Sequence, residues 1–492
     1  MWFFMFSCAC IFIYTLLYYN IIESGNNTYS ISLVLFLLNL LFFFATGRKR
    51  EKTLYTFWIR PSYILILCLI VVNLQNIVNV ILEIAPISFY LKTNQYSNYV
   101  SRVLYLGLIA ITAFLIGNNK KVSRNISFLP KLAIKVKKQD LRLWTFFCVI
   151  MFAMFVMNID LTAFITGMDY IGSGAADRVM KKSAYYEQLL EVGIIIVFAI
   201  YIRIRISDNI TSFKEFIVGF PKLFLVIFFL YLILRLLSGD RGPVIYNLFI
   251  ILYSYVMITK KKFKFVTVVS SLLLVALGIT LLGFIRSLED DDTFLNRVNN
   301  SYSKMQAAES RTRSVLPISQ ELANSIACNF IAIHDIDQNR AEFKYGEYNI
   351  YNIIGSIPGS RFILSNIFGI DLRNKSSAEY LTVSYRGKDY SYGLGSSAVA
   401  EAYLDFGVLG TFVLFAIFGT LYKKIDLNIL DPKNVSVIQT IILLRFSSYA
   451  IYTPRYTFAG TLSKALYIVI IYMLVTYIIR LLTKDKICKR IF

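Results

Sequence analysis

Runs of about 20 apolar residues, each long enough to cross about 30 Å of hydrocarbon, recur along the whole chain. Twelve are predicted, at 2–22, 29–46, 62–86, 98–117, 143–160, 189–206, 219–237, 244–259, 265–285, 404–422, 435–452 and 461–482. The first starts at Met1 with neither a basic stretch before it nor a small-residue cleavage site, so it reads as a retained helix rather than a signal peptide. The pattern predicts an all-α polytopic membrane protein of about twelve transmembrane helices. No repeat of 20–50 residues interrupts it.

The polar segments between the runs predict an orientation, because cytoplasmic loops are enriched in Lys and Arg. Segments 47–60, 118–142, 203–222, 260–264, 423–433 and 480–490 carry 5, 8, 4, 4, 3 and 5 Lys/Arg, and twelve spans place them all on one side. Both termini are then expected in the cytoplasm. The short segments opposite are poor in basic residues: 23–28 has none and 238–243 has only Arg241. One segment breaks the short-loop pattern. Residues 286–396 hold 12 Lys/Arg and 13 Asp/Glu, too polar to span and too rich in Tyr, Ile and Phe for a disordered linker. The expected organisation is therefore spans one to nine over 1–285, a mainly helical extracytoplasmic loop domain over 286–403, and spans ten to twelve over 404–492.

Composition agrees with this picture. The 492 residues are 57% apolar and 16% charged, against about 25% charged in soluble domains. An ordinary soluble enzyme, a disordered chain and a nucleic-acid-binding domain are all excluded on that ground. The net charge of +21 need not report a polyanion-binding surface. The six basic segments hold 29 Lys/Arg against seven acids, and the rest of the chain holds 22 against 23. The excess is an orientation signal, and the outer face is left nearly neutral. Six scattered cysteines, with no CxxC and no Cys/His cluster, support neither a zinc site nor a disulfide framework.

Candidate chemistry lies in a few placed charges. Arg241 sits in the tight connection SGDRGP at 238–243, beside Asp240; Arg361 sits in IPGSR at 357–361, and Arg455 in YTPR at 452–455. A guanidinium binds phosphate in a bidentate way and keeps its proton, so these three suit a diphosphate. The plainer alternative for each is a lipid headgroup or an acidic partner. Arg445 falls within the eleventh predicted span, where charge is costly and normally faces a cavity or a partner. Glu401 and Asp405, four residues apart, are expected to share a face and to answer it. Arg235 ends its span and is expected to snorkel. His334 is the only histidine, and its unperturbed pKa near 6.5 suits a general base toward a sugar hydroxyl; packing inside the loop is the competing reading. Asp335 and Asp337 spell DxD, the metal-binding pattern of nucleotide-sugar transferases, but without the soluble context that pattern needs. GLGSSA at 393–398 imitates a dinucleotide fingerprint without the preceding strand, so nucleotide binding is rejected. Tyr345, Tyr348 and Tyr351 offer apolar platforms for sugar rings, or a core for the loop itself.

The chain resembles the O-antigen and capsule repeat-unit polymerases (Wzy-type). The resemblance rests on SGDRGP at 238–243, FKYGEYNIYNIIGSIPGS at 343–360 and GLGSSAVAEAYLDFGVLG at 393–410, and on the large loop between the ninth and tenth spans. It implies a GT-C-like, lipid-carrier-dependent glycosyltransferase on the outer face of a bacterial inner membrane, acting on undecaprenyl-diphosphate-linked oligosaccharides. It also implies no cofactor or metal, and a chain-length regulator as a further membrane partner. Carried over residue by residue, phosphate and sugar handling falls on Arg241 and Arg361. By the chemistry of the residues themselves, His334, Asp240 or an acid such as Glu401 could accept the hydroxyl proton, and Arg445, Arg455, Glu401 and Tyr351 are the further substrate-binding candidates. Some members place a glycine eleven residues after such an arginine; here Leu252 stands there.

Three other activities fit such a chain less well. An O-antigen ligase shares the topology and lipid donor but needs its outer-loop histidine for catalysis. A lipid-linked oligosaccharide flippase predicts short outer loops and two related halves. A transferase adding one lipid-carried sugar usually has an acidic pair in its first outer loop, where 23–28 holds Glu23 alone.

Overall fold

Apolar runs of this length satisfy their backbone polar groups in lipid only as helices, and the described chain is helical throughout. The computed structural model describes residues 2–55, 57–91, 93–122, 136–159, 182–208, 210–238, 241–261, 263, 270, 314–316, 319–372, 375–388, 390 and 393–482. Its principal helices are α1 (Trp2–Tyr18), α2 (Asn26–Arg50), α3 (Pro61–Ile81), α4 (Val100–Asn119), α5 (Lys138–Met157), α6 (Lys182–Arg205), α7 (Lys222–Ser238) and α8 (Arg241–Thr259). After these come α9 (Ala327–Asp337), α10 (Glu347–Ile354), α11 (Ser360–Phe368), α12 (Ser377–Arg386), α13 (Ala398–Leu430), α14 (Val437–Tyr449) and α15 (Gly460–Leu482).

Seven of the described helices, α2, α3, α4, α5, α8, α13 and α15, are long and apolar enough to cross a membrane. The protein is thus a multi-pass, all-helical membrane protein, and seven spans are supported by length and composition among its described residues. The predicted ninth span, 265–285, lies outside the described residues. The predicted eleventh becomes α14, whose 13 residues are all buried. At 1.5 Å per residue it rises only about 20 Å, less than the hydrocarbon thickness.

The centre of the bundle is the α4–α13 pair. Its closeness comes from two glycines: a Cβ on Gly117 would lie 1.9 Å from the Ala416 carbonyl oxygen, and one on Gly419 would lie 2.1 Å from that of Phe114. Small residues at crossing points are how membrane helices gain close packing where no hydrophobic drive exists. The Asn118 side-chain amide and the Thr420 hydroxyl close the crossing on the Gly419 and Gly117 carbonyls, each at 3.3 Å.

Polar residues within the apolar helices are matched in the same way. Asn73, Gln75, Asn76 and Asn79 on α3 meet the segment that leads into α9. Asn329 donates to Asn73 at 2.8 Å, Gln320 donates to Asn76 at 2.8 Å, and Asn76 donates to the Ala323 carbonyl at 3.2 Å. Unpaired, such amides in hydrocarbon would cost several kcal/mol each, roughly. Arg60, counted above among the loop charges, is instead buried against the Tyr63 ring at 3.6 Å and lies 3.9 Å from Asp426.

α13 breaks at Gly407, whose φ of 65° and ψ of −156° no helix contains. The break frees the carbonyls of Leu404 and Asp405, and the backbone N–H groups of Lys344 and Tyr345 take them, each at 2.9 Å. Asn349 donates to the Asp405 carboxylate, and the Phe343 ring lies 6.1 Å from that of Tyr403. The FKYGEY and AYLDFG stretches of the sequence are therefore one docking joint.

Candidate functional site

Charged side chains inside an apolar bundle are costly and mark a cavity or a partner, and they converge at the ends of α6, α7, α8, α14 and α15. A cavity of about 380 Å³ opens there, lined among others by Glu187, Glu191, Arg235, Tyr246, Tyr449 and Lys464. Glu187 and Glu191 stand four residues apart on α6 and so share a face. Glu187 pairs with Arg235. The Tyr231 hydroxyl bridges the two acids, 2.9 Å from Glu187 Oε1 and 3.1 Å from Glu191 Oε1, and the Tyr246 hydroxyl also donates to Glu191 Oε1.

Tyrosine faces hold the remaining cations. The Arg445 guanidinium lies 3.4 Å from the Tyr449 ring centroid and 5.8 Å from that of Tyr246; the two rings are 5.0 Å apart. The Lys464 ammonium lies 5.2 Å from Tyr449 and 5.0 Å from Tyr456. Cation–π contacts stabilise charge in a desolvated setting without neutralising it. Lys464 lines the cavity, whereas Arg445 is buried behind Tyr449 and does not line it.

A second cavity, of about 660 Å³, is built from α10, α11 and α15 with the segment before α12. Tyr351, Asn352, Phe362, Asn366, Lys375 and Tyr467 are among its lining residues. Gln188, Tyr456 and Lys464 line both cavities, so the two adjoin. Aromatic faces mixed with amides and hydroxyls suit a sugar, which presents apolar ring faces and polar edges.

The predicted residues fall into groups. Arg241 is the first residue of α8, and the two that follow it, Gly242 and Pro243, line the bundle cavity. Arg361 is the second residue of α11, whose Phe362, Ser365 and Asn366 line the loop cavity. Asp240 lies outside the described residues. Tyr351 lines the loop cavity with the Lys375 ammonium 5.6 Å from its ring. Its pair with Glu347 holds the Lys375 ammonium above the usual lysine range. Arg445 stands behind Tyr449, at the wall of the bundle cavity.

Other predicted residues are engaged elsewhere. Glu401 and Asp405 do not pair with Arg445 among the described residues. They are engaged by other partners: Glu401 accepts from the Ser377 hydroxyl and, at 2.8 Å, from the Phe458 N–H, while Asp405, at the docking joint, accepts from Asn349. Arg455 lies 3.6 Å from the exposed Glu321, a surface pair of small energetic weight. His334 is buried on α9 between the rings of Tyr96 and Tyr99, at 5.2 and 5.5 Å, with Nδ1 3.1 Å from Asp335. Asp335 also accepts from Tyr380 and Ser384, whereas Asp337 pairs with Arg102, so the DxD acids face different partners. Burial, then the bond to Asp335, pushes the Tyr380 phenol well above its usual range. Burial likewise pushes the Cys328 thiol up to about 12. Arg235 does not snorkel outward; it turns in to Glu187.

Lys464, Glu187 and Glu191 were not among the sequence candidates. The signal was present: a charge inside or at the mouth of an apolar run is a site candidate by default. That rule applies to Lys464 and Glu191 as it does to Arg445.

No curated protein and no solved structure matches the chain. A family model described as O-antigen polysaccharide polymerase Wzy matches residues 1–486. With that match over nearly its whole length, the chain belongs to the O-antigen polysaccharide polymerase Wzy family.

Proposed function

We propose that this polymerase joins undecaprenyl-diphosphate-linked oligosaccharide repeat units into O-antigen or capsular polysaccharide on the outer face of the bacterial inner membrane. In this reading the chain crosses the membrane about twelve times, with both termini in the cytoplasm and the region around 286–403 outside, and it acts as a GT-C-like glycosyltransferase. The observation that carries the reading is the pair of adjoining cavities, one lined by cations, two carboxylates and tyrosines and the other by aromatic and amide groups. The first suits the diphosphate and the second the glycan attached to it.

The chemistry asks little else of the protein. The diphosphate is a good leaving group, so catalysis consists mainly of placing acceptor against donor and of stabilising the negative charge that develops on the departing oxygen. Lys464, packed against tyrosine faces where the two cavities adjoin, supplies that stabilisation, with Arg445 behind Tyr449. Arg241 begins α8 and Arg361 is the second residue of α11, next to residues that line the two cavities, and both stay candidates for phosphate and sugar binding; Tyr351 offers a ring face to a sugar. A chain-length regulator would be a further partner in the membrane.

Deleting the gene in the producing bacterium should collapse the surface polysaccharide ladder to single repeat units, as read by gel and by mass spectrometry of lipid-linked glycans. Loss of all outer-face glycan would mean transport instead. Arg241→Ala should reproduce the collapse with membrane insertion intact, and Arg241→Lys should rescue poorly, because bidentate geometry is lost. Unchanged polymer length would remove Arg241 from the site.

A further inference from the structure

We propose that the groove between α1, α2, α4 and α13 binds one anionic phospholipid, its phosphate held by Lys120 and Lys121 and its acyl chains laid along the apolar wall. The proposal goes beyond the polymerase reading and does not depend on it. The groove shares no lining residue with the two cavities described above.

The groove has a volume of about 640 Å³, and its lining divides into two parts. Trp2, Phe4, Ile116, Ala416 and Ile417 make an apolar wall, while Thr46, Asn119, Lys120 and Lys121 make a polar end. The sequence explains the division. α4 stays apolar up to Gly117 and then runs through Asn118 and Asn119 into the two lysines. α2 closes in the same manner, with Thr46 followed by Gly47, Arg48 and Lys49. Thr46 and Asn119 are bonded to each other at 3.5 Å, so the two helices end together and the segments leaving them are both basic.

Charge complementarity selects the headgroup. No acid is among the residues lining the groove, and both lysines are exposed. Two ammonium groups on consecutive residues, with no carboxylate at the site, attract a phosphodiester. A zwitterionic headgroup brings its own ammonium and is matched less well. Depth selects the rest of the molecule. Trp2, Phe4 and Ile417 are 77%, 57% and 59% exposed, and in a membrane-embedded bundle such surfaces meet acyl chains. Trp at the end of an apolar helix belongs at the headgroup level, where a lipid carries its phosphate.

The floor of the groove is the close α4–α13 crossing. Gly117 and Thr420 both line it, and the Thr420 hydroxyl donates to the Gly117 carbonyl. A lipid seated there touches four helices at once, so its binding favours the folded bundle.

The test titrates the full chain in detergent with phosphatidylglycerol and, separately, with phosphatidylethanolamine of the same acyl chains. Native mass spectrometry counts the bound lipid, and a melting curve follows stability. One phosphatidylglycerol should be retained in preference to phosphatidylethanolamine, with a rise in melting temperature. Lys120→Gln combined with Lys121→Gln should weaken that retention about tenfold or more. Lys214→Gln combined with Lys222→Gln removes the same charge from residues outside the groove and should leave retention at the parental level. Ile417→Trp keeps both lysines but fills the apolar wall, and it should lower retention as well. Equal retention of the two lipids, parental retention in either groove variant, or an equal loss in the Lys214 and Lys222 control would overturn the proposal. If the lysine pair cannot be replaced in folded protein, Ile417→Trp and the preference between the two lipids decide by the same criteria.

Discussion

Lys464→Met is expected to abolish ladder formation, with membrane insertion unchanged and single repeat units accumulating on the lipid carrier. Methionine keeps the apolar stem and most of the volume of lysine, so the change removes charge rather than packing. The ammonium lies 5.0 Å from the Tyr456 ring and lines both cavities, where a diphosphate and its first sugar would meet. Removing one placed donor from a developing oxyanion costs about 100-fold to 1,000-fold in rate, and a desolvated site pushes the loss toward the upper end. Lys464→Arg should retain part of the activity, because the charge remains while the point-like ammonium is replaced by a planar fork. The readout is the length distribution of lipid-linked glycan in cells carrying the variant as the sole copy. A parental ladder from Lys464→Met would move the diphosphate out of the cavity.

The second large effect is structural. Gly419→Ala should lower thermal stability by about 1–3 kcal/mol, and Gly419→Leu should leave no recoverable folded protein. A Cβ at this position would stand 2.1 Å from the Phe114 carbonyl oxygen and 2.9 Å from the Asn118 nitrogen, both backbone atoms. Backbone cannot rotate away as a side chain can, so α4 and α13 must separate, and the bonds from Asn118 and Thr420 across the crossing separate with them. Because α13 also carries the docking joint at Gly407, the displacement reaches the segment that holds the loop cavity. Fluorescence-detected size exclusion and a melting curve in detergent measure both outcomes. Leucine tolerated at parental stability would show that the crossing is not close.

How far the sequence was legible follows the physics that each feature depends on. Helical apolar runs are local, and α2, α3, α4, α5, α8, α13 and α15 all fall on predicted spans. The number of spans was less legible, because hydropathy alone does not separate a crossing helix from one enclosed by others: α14 is as apolar as a span but ends after 13 residues. Arg445 was readable as a buried charge, yet its partners were not. Glu401 and Asp405 have the right charge to answer it, but Glu401 is taken up by Ser377 and the Phe458 N–H, and Asp405, beside the break at Gly407, by Asn349. The unique histidine invited a catalytic role that its position between two tyrosine rings does not favour. The cavity needs five helices far apart in sequence, so Glu191, Tyr246, Tyr449 and Lys464 share no local motif. Only the cost of burying their charges marked Glu191 and Lys464.

As a polymerase, this chain is expected to make glycosidic bonds between lipid-linked repeat units. The most direct measurement is reconstitution of the purified protein alone in nanodiscs with one undecaprenyl-diphosphate-linked repeat unit, followed by mass spectrometry of the products. The account predicts a ladder of whole-repeat multiples, with one undecaprenyl diphosphate released for each bond formed and the ladder absent with Lys464→Met. Repeat units that stay monomeric, or a single transfer to a lipid core acceptor supplied alongside, would contradict it.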